Sequence, residues 1–152
     1  MPTVDQLTAI HESGHAIAAY RLGVEVFEVT LRPRGRLMAR TSVARARWHA
    51  RNASAPILRE AIEKDFKISL AGPIAESRVS GVVDEVAATA DVANFPPQTL
   101  IHLCRETEVL VSEKWRAIER VAEALIEKRA LTGQELNHLM RWRRLGEFIP
   151  AL

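Results

Sequence analysis

His11-Glu12-Ser13-Gly14-His15 places two imidazoles and a carboxylate within five residues, in the pattern H-E-x-x-H. Four residues carry a helix through about 400°, so His11 and His15 project from one face, one above the other, and can share a metal ion. Glu12 lies about 100° round the helix from His11, too far to crowd that ion but close enough to hold and deprotonate a water. This is the spacing of a zinc hydrolase. The competing reading is a pair of core histidines satisfied by ordinary hydrogen bonds. Context favours the metal, because Leu7, Ile10, Gly14 and Ile17 form an apolar stripe beside the histidines and would bury them. Unpaired polar groups there cost about 1–3 kcal/mol each, and one ion would satisfy all three.

A catalytic zinc takes three protein ligands and leaves one position open. No third histidine follows at the short spacing some zinc peptidases use, so the ligand must be a distant acid: Glu76, Asp84, Glu85 or Asp91. Asp91 is favoured, since an aspartate in a small-residue helix start (residues 88–93) can be aimed rigidly, whereas Asp84 and Glu85 sit in looser sequence. Glu76 falls on a mostly apolar turn with Pro73, Ile74, Ala75 and Val79. It reads either as a solvated helix charge or as an acid that orients a ligand histidine.

The elements that must position these groups are mostly helical. Thr3 and Gln6 make a capping box, and the helix it opens should run to Gly23. Residues 24–32 are β-branched and roughly alternating, Pro33-Arg34-Gly35 makes a turn, and residues 37–44 can return as a second strand. A second helix begins near Ser54-Ala-Pro56; Gly72-Pro73 should kink or restart it, and Gly81 ends it. After a loop at 82–90, the turn at 88–93 and an interruption at Asn94-Phe95-Pro96-Pro97, one helix or two cover residues 98–129. Thr132 and Glu135 form a second capping box that opens a last helix to about Trp142, with residues 143–152 a loosely held tail. The expected fold is therefore a mainly α single domain over residues 1–152, with a small β-hairpin after the histidine helix.

The chain of 152 residues, 47% hydrophobic, is long enough to bury one sizeable core. Its single cysteine, Cys104, read as a small core residue, permits no internal disulfide and no cysteine-rich zinc cluster, which suits a reducing compartment. No apolar run approaches the roughly 20 residues needed to span a bilayer, and no basic-then-apolar leader opens the chain. The expected setting is cytoplasmic. Net charge is only +2, yet Arg32, Arg34, Arg36, Arg40, Arg45, Arg47 and Arg51 cluster with no acid among them. Such a patch could meet nucleic acid, but no binding module accompanies it, and a solvated sheet edge is the preferred reading.

Taken in order, Ile10-HESGH-Ala16, Val29-Thr-Leu-Arg-Pro-Arg-Gly35, Leu70-Ala-Gly-Pro-Ile-Ala-Glu76, Ala88-Thr-Ala-Asp91 and residues 122–139 resemble the peptidase domain of the FtsH family of membrane-anchored, ATP-dependent zinc proteases. The resemblance implies that His11, His15 and Asp91 ligate zinc, that Glu12 is the general base on zinc-bound water, and that Glu76 supports a ligand histidine. These 152 residues contain no Gly-x-x-x-x-Gly-Lys-Ser/Thr loop to cradle ATP, and opening a folded domain takes about 5–15 kcal/mol, which a passive site cannot supply. The expected substrate is therefore unfolded or flexible polypeptide, with a separate AAA ATPase partner left open. A homo-oligomer is left open. Two rival readings remain: a catalytically idle adaptor of the same fold, against which the intact Glu12 argues, and a nucleic-acid contact through residues 32–51.

Overall fold

The computed structural model describes residues 1–32, 39–44, 46, 50–82 and 95–146. Helix α1 (Val4–Arg21) opens with the expected capping box: the Gln6 amide donates to Thr3 Oγ1 at 3.2 Å, and the Thr3 amide donates to the Gln6 side chain at 2.8 Å. The chain leaves it through Gly23 at φ 74°, a left-handed conformation that glycine adopts without steric cost. Ala9, Ile10, Ala16, Ile17, Ala18 and Ala19 are all buried, so α1 is enclosed on most sides and forms the axis of the core.

Strands β1 (Val26–Thr30) and β2 (Arg40–Val43) form the expected hairpin, antiparallel, with Val26 opposite Val43 and Thr30 opposite Arg40. Both are shorter than the alternating pattern suggested, and the register shifts between Val26 and Glu28. A third strand, β3 (Ala130–Thr132), pairs antiparallel with the other edge of β1, giving the order β2-β1-β3. Three residues show no readable alternation, and this strand exists only because β1, about a hundred residues earlier, offers it an edge.

Helix α2 (Ala55–Ser80) passes through Pro73 without restarting, so of the expected kink or restart the second does not occur. A proline inside a helix costs about 3 kcal/mol through its lost donor and its ring. Here Ile68, Ala71 and Ala75, on both sides of Pro73, are buried in the cluster that includes α1, and that packing holds the helix together. Gly81, at φ 70°, ends it.

The expected helical stretch at 98–129 is two helices, α3 (Pro97–Glu113) and α4 (Trp115–Lys128), divided at Lys114. Ile118, Val121 and Leu125 of α4 lie at helical spacing and are fully buried in the core against α1. Cys104 is half-buried on α3 and not a core residue. The second capping box is present, with Glu135 N donating to Thr132 Oγ1 at 3.2 Å and Thr132 N to Glu135 Oε2 at 2.9 Å. Helix α5 (Gly133–Gly146) runs four residues beyond the expected Trp142.

Among the described residues no helix is long and apolar enough to cross a membrane. Asp84, Glu85 and Asp91, the turn at Pro33-Arg34-Gly35, Arg34, Arg36, Arg45, Arg47, the helix start at 88–93 and the end of the tail lie outside the described residues.

Candidate active site

The H-E-x-x-H motif lies mid-helix on α1, and α2 runs against its histidine face. Glu76 Oε2 lies 2.7 Å from His11 Nδ1, and the Ile68 main-chain oxygen lies 2.6 Å from His15 Nδ1. A carbonyl oxygen can only accept, so Nδ1 of His15 carries the proton; a carboxylate at Glu76 assigns the His11 proton in the same way. The Nε2 atoms, 3.1 Å apart, then present two lone pairs to each other. That pairing is repulsive unless a proton or a metal ion stands between them. Two nitrogens each about 2.0–2.1 Å from one zinc would be this far apart at an angle of roughly 100° at the metal, a little under tetrahedral. The pair thus has the spacing of two of the three protein ligands that a catalytic zinc takes. Desolvation of the His15 ring lowers its pKa below the usual histidine value; the Ile68 carbonyl opposes the shift, His11 reinforces it and Glu12 opposes it. A ring neutral at pH 7 is the form that ligates metal.

Two glycines make this approach possible. A Cβ added at Gly14 would stand 2.6 Å from the Ala71 carbonyl oxygen, so α1 and α2 meet backbone to backbone. A Cβ at Gly72 would stand 2.5 Å from Cε1 and 2.8 Å from Cδ2 of the His15 ring, and closer still to Nε2. The Gly72-Pro73 pair thus marks where α2 makes room for His15. Its signal in the sequence was a glycine, worth about 1 kcal/mol less than alanine in a helix, inside an otherwise good helical pattern.

Glu12 is only 8% exposed. Thr41 Oγ1, from strand β2, stands 2.7 Å from Glu12 Oε2 and 3.0 Å from the Glu12 main-chain oxygen. Neither Thr41 nor the Ile68 carbonyl was found from the sequence, because each partner comes from a distant element and carries no local pattern. Beside His15 a cavity of about 190 Å³ is lined by Thr41, Val43, Asp65, Ile68 and Ser69. Asp65 is buried, and its Oδ1 accepts the Ala46 amide at 2.7 Å, tying the chain after β2 to α2. A larger cavity of about 450 Å³, between Leu22, Val24, Ala50, Ile57 and Ala61, includes none of the motif residues.

The structure thus brings His11, His15 and Glu76 together between α1 and α2, with Glu12 buried next along α1 and held by Thr41 of β2. Among the described residues no group of three or more His, Cys, Asp or Glu could hold a metal ion. Asp91 is outside them. Of the arginine cluster, Arg40 pairs with Glu28 across the hairpin at 3.6 Å.

No protein-family model matches the chain. Among curated proteins, the ATP-dependent zinc metalloprotease FtsH of Neorickettsia risticii (strain Illinois) is 27% identical over 176 residues, covering 88% of this chain and 28% of the relative. The chain thus spans little more than a quarter of that protein's length, and the similarity is that of a distant relationship to FtsH.

Proposed function

We propose that this chain is a single zinc-dependent metalloendopeptidase domain that hydrolyses peptide bonds in unfolded or flexible polypeptide. The observation that carries the reading is the pair of opposed Nε2 atoms 3.1 Å apart, each with its Nδ1 bonded away from the other ring. The name of the FtsH relative supports the same chemistry. In this reading His11, His15 and Asp91 hold the metal, Glu76 orients His11, and the Ile68 carbonyl orients His15. When bound, zinc supplies Lewis acidity, making a water acidic near neutral pH and polarising a carbonyl. Glu12 takes a proton from the attacking water and returns it to the leaving amine nitrogen as the C–N bond breaks. With Oε2 engaged by Thr41, Oε1 is the oxygen that carries the proton. An idle adaptor would have no use for a carboxylate buried beside the two histidines.

Opening a folded substrate takes about 5–15 kcal/mol, which a passive site cannot supply. Folded substrates must therefore be opened first, and an ATPase activity that opens them, which these 152 residues do not carry as a phosphate-cradling loop, belongs to the proposal. The test joins metal analysis of the purified protein to hydrolysis of an unstructured peptide pool. About one zinc per chain is expected, with Glu12→Gln keeping the metal and losing roughly 100-fold to 10,000-fold in rate. Absence of zinc from wild type under metal-replete conditions, or undiminished cleavage by Glu12→Gln, would refute the reading.

A further inference from the structure

We infer that Thr41 is a positioning residue for Glu12, a donor on β2 that holds the orientation of the carboxyl group; the inference rests on the peptidase reading above. The Thr41 hydroxyl has one proton and two acceptors on the same residue, Glu12 Oε2 at 2.7 Å and the Glu12 main-chain oxygen at 3.0 Å. While Glu12 is a carboxylate, the hydroxyl proton belongs on Oε2, where the bond is charge-assisted and stronger. The same hydroxyl lies within reach of the main-chain oxygen, so Thr41 is held against Glu12 at two points, and a carboxyl group with 8% exposure has little water to orient it instead.

The placement of Thr41 has a second consequence. It stands on β2, which lies at one end of the sheet order and pairs with β1 alone among the described strands. The β2 backbone and the base are thus joined by one side chain, and a shift in the strand would be felt at Glu12. No interval within the motif encodes this contact, which crosses 29 residues.

The experiment compares Thr41→Val, which keeps the shape and removes the donor, with Thr41→Ser, which keeps the donor and removes a methyl. In peptide hydrolysis Thr41→Val should lower kcat about 10-fold to 100-fold, with KM within about twofold and zinc content unchanged. Thr41→Ser should recover kcat to within about threefold of wild type. In a Glu12→Gln background, Thr41→Val should have less than about a threefold further effect. A wild-type kcat in Thr41→Val, or equal losses in the Val and Ser variants, would overturn the inference, the second because packing would then explain the loss. A readout independent of activity uses metal-free protein in a double-mutant cycle of urea unfolding with Glu12→Ala. The midpoint shift from Thr41→Val should shrink in the Glu12→Ala background, and full additivity would overturn the contact itself. If wild type hydrolyses no peptide while the cycle shows coupling, the peptidase reading fails and the Thr41–Glu12 link stands.

Discussion

Replacing Gly72 with alanine should separate metal binding from folding, because the two effects on stability oppose each other. In an exposed helix interior the change would stabilise by about 1 kcal/mol, since alanine loses less backbone freedom on folding. Here the new methyl would stand 2.5 Å from His15 Cε1 and 2.8 Å from Cδ2, well inside van der Waals contact. The ring must turn away, surrendering its 2.6 Å bond to the Ile68 carbonyl, a loss of about 0.5–1.5 kcal/mol. These terms nearly cancel, so the metal-free variant should unfold within about 1 kcal/mol of wild type. Zinc affinity should nevertheless fall by at least about 10-fold to 100-fold, because Nε2 no longer faces its counterpart on His11. Gly14→Ala is the contrast: its methyl would meet the Ala71 carbonyl oxygen at 2.6 Å, backbone that cannot rotate aside. It should destabilise the fold by about 1–3 kcal/mol with or without metal. Urea unfolding of chelator-treated protein and competitive zinc titration of both variants provide the measurements. Wild-type zinc affinity in Gly72→Ala would refute the assignment of His15 Nε2 as a metal-facing atom.

Zinc occupancy should fall sharply in Asp91→Ala and stay at the wild-type level in Asp84→Ala, by metal analysis after dialysis; equal occupancy in wild type and Asp91→Ala would remove Asp91 from the ligand set. Glu76→Ala should cost about 10-fold to 100-fold in zinc affinity by turning His11 loose, and an unchanged dissociation constant would reduce Glu76 to a surface charge. The folded-state pKa of His15 is depressed, so its neutral form is favoured by folding, and that contribution is whole above the unfolded value near 6.5. As pH drops through 6.5 toward the folded value the unfolded chain gains the proton first, and metal-free protein should lose stability. Urea midpoints between pH 7.5 and 5 should fall more in wild type than in His15→Gln; parallel curves would count against it. Finally, the 152-residue chain should cleave a disordered protein readily and a stable domain only as fast as that domain opens, with no effect of ATP on either. Rapid cleavage of a stable domain, or stimulation by ATP in the purified protein, would contradict this.

Much of the local architecture was readable without coordinates, because the information lies within a few residues. The i, i+4 spacing of His11 and His15 directs both rings from one face of any helix that contains them, and the Thr3–Gln6 and Thr132–Glu135 boxes mark where helices begin. Alternation at 24–32 announced β1 for the same reason. What required the folded chain is everything decided by partners far along it. Which nitrogen of each histidine faces the other is set by Glu76 and the Ile68 carbonyl, 65 and 53 residues away, and no spacing within the motif determines a tautomer. Thr41 reaches Glu12 only because β2 pairs with β1 and both strands lie along α1. The continuity of α2 through Pro73 excludes the restart that was one of the two local expectations, since burial of Ile68, Ala71 and Ala75 on both sides outweighs the lost hydrogen bond. β3 has no pattern of its own and is created by an open edge of β1. Short-range sequence thus determined which side chains share a face, whereas long-range packing decided which atoms of those side chains meet, because hydrogen-bond partners and steric room belong to the neighbouring element.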